Sequence, residues 1–526
     1  MATVGYELVR SLLRLTAFPA RRPAMIGSVT RIERHEHFLA VPGTVAPATD
    51  DLLSHLLFAL KHEGVNMQVL AQALPHIPAS RLHAELAVTP NGQYLRMVCY
   101  LWEALTHRSL GHRPDMAGGY VELFDPQRYI TGPPQRNSRW RVDFNGLGSV
   151  RYCASVERTP AIEAAMASDI LGRARSFTAS LDKEMMDRAL AWAYLHETED
   201  SYAIEREAPS ADKARTFISL LKQAHDGAPL TEDYLVDLQS SVVSNPFDKA
   251  VQFRTRQNWL RGPMRGASGV TYVPPPPELV DGIMDDWMAF ANTAPKHIDA
   301  IVAASIASFG FVFIHPFMDG NGRLSRFLFH QALCTSGQLP SGMLLPVSVA
   351  MKRHEKDYLG ALQHYSRAAR ECVNVTWLGD DNFDIKFNGD ASIFRYWDAT
   401  PCVEFGFRMA EQALEVELRN EARFLANFDA VKQAVDERYD VRGSVLSVLI
   451  SICLQADGVI SKGKRKRYAD AVPAPTFDLI ERITRRVLAA ASKANSRTAE
   501  AQRYAELRRV RARIRIALRN SAPLRW

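Results

Sequence analysis

Apolar residues recur three and four positions apart in several segments of this chain of 526 residues. Ser54–Leu74 and Arg96–His107 follow this spacing, which places their apolar side chains on one face of a helix. His297–Ile314 is apolar nearly all round, as expected for a helix that is buried on every side. Arg323–Gly337 is a further predicted helix downstream. The pattern therefore predicts a mainly α protein.

One segment departs from the helical pattern. Phe253–Leu260 and Val270–Val273 are each typical of a β-strand, and Arg261–Gly269 between them is typical of a flexible loop. Four prolines at positions 274–277 end the second strand. We therefore expect a β-hairpin here, whereas Gly111–Ser149, which is rich in Gly and Pro, predicts irregular chain.

Composition indicates an ordinary globular protein, with 47% hydrophobic and 23% charged residues and a length that suits two to four domains. No run of 18 apolar residues occurs, so we expect neither a membrane span nor a membrane partner. The six cysteines form no C-x-x-C pair, which argues against a zinc ribbon or a disulfide framework and predicts a cytoplasmic protein. Residues 1–24 lack a clean cleavage site, so we expect no targeting peptide, and Met25 is an alternative start.

Charge is distributed unevenly along the chain. Residues 441–526 contain 19 Lys or Arg and 6 Asp or Glu, a local net charge of +13, so residues 1–440 carry −7 against +6 for the whole chain. A basic C-terminal region favours a polyanionic partner such as nucleic acid. A solvated basic face with an unstructured tail is the alternative.

The segment His315–Arg326, with the sequence HPFMDGNGRLSR, concentrates chemically active side chains. His315 can take a proton at neutral pH and is a candidate general base, while Asp319 is a candidate ligand for a divalent cation. The glycine-rich loop that follows can present backbone N–H groups to an anion at the start of a helix, and Arg323 and Arg326 can neutralise phosphate oxygens. The segment predicts a phosphate site with a base, although the loop on its own is also a common turn.

This segment resembles the Fic family signature H-x-F-x-[D/E]-G-N-G-R-x-x-R at every specified position. The resemblance implies a Fic helical domain that transfers AMP from ATP to a Ser, Thr or Tyr hydroxyl of a target protein, with His315 as the base and Mg²⁺ held by Asp319. It also implies that Arg323 pairs with the β-phosphate and Arg326 with the γ-phosphate. The nucleotide-binding residues that the resemblance gives are Asp319, Gly320, Asn321, Gly322, Arg323, Leu324, Ser325, Arg326 and Tyr358.

A second feature resembles the inhibitory helix that some Fic proteins carry before the motif, with the pattern [S/T]-x-x-x-E-[G/N]. Ser201 and Glu205 fit this pattern within a predicted helix near 188–208, but Arg206 replaces the final Gly or Asn. The two residues are four apart and share one helical face. The resemblance implies class II autoinhibition, in which Glu205 pairs with Arg326 and takes the place of the ATP γ-phosphate. An ordinary surface glutamate is the alternative.

The predicted hairpin near 251–273 is similar to the flap of Fic enzymes, which docks the target protein by main-chain pairing. Its R-T-x-Q core is formed by Arg254, Thr255, Arg256 and Gln257, and the resemblance implies that it covers the nucleotide base. Tyr358 matches a tyrosine that lies near the adenine in the family, while Leu359 stands where a second tyrosine is often found.

We therefore predict four regions. They are a helical and irregular N-terminal extension at 1–150, the Fic domain at 151–375, a helical connector at 376–440, and a winged-helix-like module with a basic C-terminal helix at 441–526. A homodimer contact and a nucleic-acid contact are both open for the last region. Other Fic chemistries, namely UMP, phosphocholine or phosphate transfer or the removal of AMP, are alternatives to AMP transfer, as is a nucleic-acid-binding regulator.

Overall fold

The computed structural model of the protein describes residues 2–48, 50–111, 115–380, 382–438 and 443–490. The chain forms two compact units. The first comprises the residues up to Ser180 together with Leu190–Glu417, and the second comprises Leu181–Ala189 and the chain from Leu418 onward. The predicted boundaries at residues 150 and 375 fall inside the first unit, so that finer division stays a prediction.

The N-terminal part of the first unit contains five helices among its described residues: α1 (Gly5–Leu12), α2 (Leu52–His62), α3 (Met67–Ala73), α4 (Ala79–Val88) and α5 (Gln93–Thr106). The single helix predicted over Ser54–Leu74 is divided into α2 and α3. Gly64 between them has a φ of +98°, and the side chain of Asn66 accepts from the N–H of Val69 and so begins α3 afresh.

Short strands accompany these helices, and the sequence pattern did not reveal them. One sheet has the order β1-β2-β4-β3, and its strands are β1 (Thr3–Val4), β2 (Ala24–Gly27), β3 (Glu33–Arg34) and β4 (Leu39–Pro42). A second sheet has the order β5-β7-β6, with β5 (Val121–Glu122), β6 (Gln135–Asn137) and β7 (Val142–Phe144). The prediction of irregular chain over Gly111–Ser149 holds for most of its described residues but misses these strands, because strands of two or three residues are too short to show alternation.

Strands β8 (Leu147–Ser149) and β9 (Tyr152–Ser155) form a third sheet with a strand from far along the chain, β14 (Tyr396–Asp398), which pairs in parallel with β9. The helices that follow in the first part of the chain are α6 (Pro160–Ala167), α7 (Ile170–Ala179), α8 (Lys183–Ile204), α9 (Ala211–Gln223) and α10 (Glu232–Val242).

The core of the first unit is built around one apolar helix, α12. The later helices are α11 (Pro277–Thr293), α12 (Ala300–Ile314), α13 (Asn321–Thr335), α14 (Val347–Arg353), α15 (Glu355–Glu371), α16 (Ser392–Arg395) and α17 (Thr400–Gln412). All 15 residues of α12 are buried, and the helix packs against α11, α13 and α17. Asp299 caps its N-terminus by accepting from the N–H groups of Ile301 and Val302. The predictions of a mainly α fold and of a fully buried helix before the motif are confirmed.

The predicted flap is present as an antiparallel hairpin of β10 (Leu260–Arg261) and β11 (Val270–Tyr272). Its first strand is shorter than predicted, since residues 253–259 are not in a strand. Phe253 and Arg254 are both buried. Arg254 donates to the carbonyls of His315 and Pro316 in the motif, and also to those of Arg256 and Pro275. The prediction of a strand over Phe253–Leu260 is therefore wrong for all but its last residue.

A second hairpin lies against the flap and was predicted as loop and helical connector. It consists of β12 (Val373–Gly379) and β13 (Asn382–Phe387). Phe383 packs with Val270 and Val273 of the flap region, and its ring lies 5.3 Å from that of Trp259. Apolar and polar residues alternate strictly in β13, so the strand signal was in the sequence NFDIKF.

The second unit contains α18 (Arg419–Asp436), α19 (Gly443–Gln455), α20 (Lys462–Arg467) and a further helix over residues 474–490. Its apolar core consists of Val431, Val435, Leu446, Leu449, Ile450, Cys453, Leu454, Ile460, Val472, Phe477, Leu479, Ile480 and Ile483. Within 418–438 and 443–490 no strand occurs, so the wing of a winged helix is not among these residues. The basic helix predicted after Arg497 lies outside the described residues.

The basic residues of α20 are mostly exposed, but Arg465 pairs with Asp478 and Glu481, each at 2.7 Å. In the part of the chain that the structure describes, no helix is both long and apolar enough to cross a bilayer.

Candidate functional site

His315 follows directly on α12 and is fixed by it. The residue is 7% exposed and has a left-handed backbone with a φ of +53°, and its N–H donates to the Phe311 carbonyl at 2.8 Å. Its ring Nδ1 lies 3.0 Å from the carbonyl oxygen of Val312. Because a carbonyl oxygen only accepts, Nδ1 must carry the proton, which leaves Nε2 with a free lone pair. His315 is thus held in the tautomer that suits a general base.

Burial also controls the charge of this imidazole. It lowers the pKa of His315 to about 4, since a charged ring would lose its hydration, while the bond to the Val312 carbonyl opposes this shift. The ring is therefore neutral, with Nε2 ready to accept a proton, throughout the physiological pH range.

The loop between His315 and α13 is held by its own asparagine. The side-chain oxygen of Asn321 accepts from the N–H of Phe317 at 3.0 Å, and its amide nitrogen donates to the Phe317 carbonyl at 2.8 Å. Gly320 has a φ of +84°, and a Cβ there would lie 3.0 Å from a methyl group of Val243. Both polar groups of the Asn321 side chain are therefore used within the loop. In this arrangement Asn321 could contact a phosphate only through its backbone N–H, at the start of α13.

Arg254 connects the flap region to this loop. It is 5% exposed, its Nε donates to the His315 carbonyl at 2.8 Å, and its own N–H donates to the Pro316 carbonyl at 2.8 Å. Burial lowers the pKa of Arg254 to about 10. Asn258 adds a bond from its side-chain nitrogen to the Phe317 carbonyl at 3.0 Å. Arg254 therefore supports the backbone of the motif. The expectation that the R-T-x-Q core covers the nucleotide base stays a prediction.

The two arginines of the motif are buried and surrounded by carboxylates. Arg323 is wholly buried, and its guanidinium donates to Glu207 Oε2 at 2.9 Å and to both carboxylate oxygens of Asp319 at 3.2 Å. Its Nε also lies 2.9 Å from Glu205 Oε2, although the N–H is not aligned for a hydrogen bond. We count that contact as an ion pair only.

Arg326 is held by two residues of α8, the helix predicted to be inhibitory. Its Nε donates to Ser201 Oγ at 2.9 Å, and its Nη2 donates to the Ser201 carbonyl at 2.6 Å and to Glu205 Oε1 at 2.8 Å. One carboxylate, that of Glu205, therefore contacts both arginines. The structure brings Ser201, Glu205 and Arg326 together as the resemblance implied.

Gly322 is required by the same contact. A Cβ at this position would lie 2.1 Å from Glu205 Oε1 and 3.3 Å from Nη1 of Arg326. Any side chain at residue 322 would therefore collide with the carboxylate in this arrangement.

Arg206 explains the mismatch with the inhibitory pattern. Its N–H donates to the Ala203 carbonyl at 3.0 Å, the N–H of Glu207 donates to the Tyr202 carbonyl at 3.1 Å, and Arg206 has a φ of +62°. This is a Schellman helix end with Arg206 at its left-handed position, where Gly and Asn are preferred. The final Gly or Asn of the pattern thus stands for a backbone conformation, and this chain adopts that conformation with an arginine.

The remaining predicted residues are placed differently from one another. Leu324 is fully buried, Ser325 Oγ donates to the Gly322 carbonyl at 2.8 Å, and Tyr358 is 6% exposed and packs against Phe309 and Phe405. In the flap region, Thr255 and Arg256 are exposed, and the Gln257 amide donates to the Pro274 carbonyl at 3.1 Å. Glu207, which pairs with Arg323, was missed because nothing in the sequence shows that the helix ends just before it.

Residues 229–333 match the Fic/DOC family. The chain contains a Fic domain. It is 32% identical over 147 residues to protein adenylyltransferase fic-1 of Caenorhabditis elegans, which covers 27% of this chain and 26% of that protein. It is 33% identical over 101 residues to a probable protein adenylyltransferase of Aquifex aeolicus, covering 19% of this chain and 28% of that protein. The matched part of the chain thus spans about a quarter of the length of these relatives.

A Fic family protein of Desulfovibrio desulfuricans is a similar solved structure, with 19% identity and a TM-score of 0.38. That similarity covers 59% of this chain and 87% of the solved chain.

We expect Arg206→Gly to stabilise the end of α8 by ~1 kcal/mol, because glycine adopts the left-handed conformation without a Cβ penalty. Hydrogen exchange of the amides of residues 206 and 207 should then slow by about fivefold. Arg206→Ala is the control, since it removes the guanidinium but keeps the Cβ. Equal effects of the two substitutions would show that the backbone conformation is not the cause.

We expect His315 to titrate near pH 4 rather than near its ordinary pKa of 6.5, because protonation has to place a charge in a buried site. Nuclear magnetic resonance of histidine-labelled protein measures this directly, and His315→Gln identifies the signal. A midpoint at or above pH 6 would contradict the buried, neutral ring.

Proposed function

We propose that this protein transfers AMP from ATP to a hydroxyl side chain of a target protein. The observation that carries the proposal is that one motif contains both a neutral imidazole, His315, with an unprotonated Nε2, and two buried arginines that share the carboxylate of Glu205. Relatives of the Fic domain are named protein adenylyltransferases, which supports the same chemistry.

In the proposed reaction His315 Nε2 takes the proton of the target hydroxyl. The hydroxyl oxygen then forms a bond to the α-phosphorus of ATP, and the bond from that phosphorus to the bridging oxygen breaks, so pyrophosphate leaves with the electron pair. Because Nδ1 donates to the Val312 carbonyl, the imidazolium that forms has a hydrogen-bond acceptor already in place. His315 therefore acts as base without moving its ring.

The phosphates are proposed to bind where Glu205 now lies. Backbone N–H groups at the start of α13 face an anion there, with Arg323 on the β-phosphate and Arg326 on the γ-phosphate. The side chain of Asp319 is 41% exposed and offers carboxylate oxygens, which fits Mg²⁺, a cation that usually takes one or two carboxylates together with substrate phosphates. Mg²⁺ would supply neutralisation of phosphate charge.

Glu205 makes the site autoinhibited in this proposal. Its two carboxylate oxygens contact Arg323 and Arg326, so a bound γ-phosphate and an inward Glu205 would compete for the same guanidinium groups. Repulsion between the two anions adds to the competition, since both would be partly desolvated. Displacement of the end of α8 would release both arginines from Glu205 together.

The flap is the proposed dock for the target. Strand β10 is exposed and pairs on one side only, with β11 of its two-stranded sheet. An extended segment of the target can therefore add to this edge through main-chain hydrogen bonds.

We expect His315→Ala to reduce transfer by at least about 100-fold while the fold is retained, because the base is lost. Incubation with ATP labelled at the α-phosphate and, separately, at the γ-phosphate measures both the rate and the transferred group. His297→Ala, at an exposed histidine outside the site, is the control. Full labelling by His315→Ala would refute the role of the base. If the wild-type protein labelled the target only from ATP labelled at the γ-phosphate, the reaction would be phosphate transfer instead.

We expect Glu205→Gly to raise labelling by at least about tenfold, since the fraction of protein that can bind ATP productively increases. Glu207→Gln should raise it less, because Glu207 forms an ion pair with Arg323, whereas Glu205 contacts both Arg323 and Arg326. Glu199→Gln, on an exposed face of α8, is the matched control and should change nothing. An unchanged rate for Glu205→Gly, with His315 intact, would remove the inhibitory role.

A further inference from the structure

Three side chains that commonly bind metals converge beside α13, on the half of the helix that follows the two motif arginines. His330 and Cys334 are four residues apart on α13, and His225 faces them from a short 3₁₀ helix, Ala224–Asp226. One ligand atom from each lies within 4.8 Å of the others. His330 is 1% exposed, while His225 and Cys334 are partly buried.

The distances fit tetrahedral coordination. Cys334 Sγ lies 3.4 Å from His330 Nε2 and 3.5 Å from His225 Nε2. Bonds of ~2.3 Å to sulfur and ~2.0 Å to nitrogen at a tetrahedral angle place the two ligand atoms about 3.5 Å apart. Both measured distances agree with this separation.

In the metal-free chain, hydrogen bonds hold the cluster. The Met343 carbonyl oxygen only accepts, so His225 Nε2, 3.0 Å away, carries a proton there, and the Cys334 thiol can donate its one proton to His330 Nε2. Binding of a metal ion would require His225 to carry its proton on Nδ1 instead, which frees the Nε2 lone pair for the ion. A cation among the three side chains would satisfy both short contacts of the sulfur, and the Met343 carbonyl oxygen or a water molecule could complete its coordination.

We propose that His225, His330 and Cys334 bind one Zn²⁺ ion. Two imidazoles and a thiolate form a set of borderline and soft donors, which suits Zn²⁺ and not Mg²⁺ or Ca²⁺. This site therefore differs in its ligand chemistry from the proposed Mg²⁺ site at Asp319. The thiol proton of Cys334 leaves when the ion binds.

The role that follows from the position is structural. The ion joins the Ala224–Asp226 turn, at the end of α9, to α13, the helix whose other end begins at the catalytic loop. An ion that binds only the folded state stabilises that state, so removal of the ion should lower the melting temperature of the protein.

The test is the metal content of the full chain, purified without an affinity tag or chelator and measured by inductively coupled plasma mass spectrometry. We expect about one zinc per chain, lost in Cys334→Ser and in His225→Ala. Cys372→Ser, at another partly buried cysteine, and Asp319→Ala should both retain it. Circular dichroism checks that each variant is folded.

Cobalt supplies a second readout that does not depend on copurification. After chelation of the native metal, Co²⁺ should give a thiolate-to-cobalt charge-transfer band in the wild-type chain and in Cys372→Ser, but not in Cys334→Ser. Two results would overturn the proposal: a folded wild-type chain with neither zinc nor the cobalt band, or zinc retained at the same level in Cys334→Ser.

Discussion

Buried positive charge is the constraint on which the site depends. Arg323 and Arg326 are almost completely removed from solvent, and an unpaired ion in such a place costs several kcal/mol. Each guanidinium therefore needs an anion at all times, and Glu205 supplies one to both. Phosphates of a nucleotide can meet the same need. In the proposed function, inhibition by Glu205 and nucleotide binding are therefore two alternative ways of pairing the same two arginines with an anion.

The two arginines differ in how much they depend on Glu205. Arg323 also contacts the carboxylates of Asp319 and Glu207, whereas Arg326 forms an ion pair with Glu205 and donates further hydrogen bonds to Ser201. Loss of Glu205 would leave Arg323 paired with two carboxylates but would remove the carboxylate with which Arg326 forms its ion pair. The γ-phosphate position assigned to Arg326 is thus the one that an inward Glu205 controls.

The motif residues could be predicted because they occupy twelve consecutive positions. The apolar pattern of the preceding segment also predicts a buried helix that ends directly before His315. Ser201 and Glu205 were predictable only through the spacing of four on a helix. The contact of Arg254 with the His315 carbonyl and the pairing of Glu207 with Arg323 were not predictable, because they join residues 61 and 116 positions apart along the chain. Arg206 shows the converse case, since a mismatched side chain still occupies the backbone conformation that the pattern represents. The short N-terminal strands were not predicted, because they are defined by pairing with other strands and are too short to show an alternating sequence pattern.

The proposed metal cluster and the inhibitory contact lie at two ends of one continuous segment. The chain runs from His225 into α10, and the carbonyl of its last residue, Val242, accepts from the Tyr202 hydroxyl at 2.7 Å and from Arg323 at 3.3 Å. Tyr202 belongs to α8, next to Ser201, so α10 supports the inhibitory helix and an arginine of the site through a single oxygen. An ion that fixes His225 to α13 would therefore restrict the start of this segment. The Val242 carbonyl at its other end contacts both Tyr202 of α8 and Arg323.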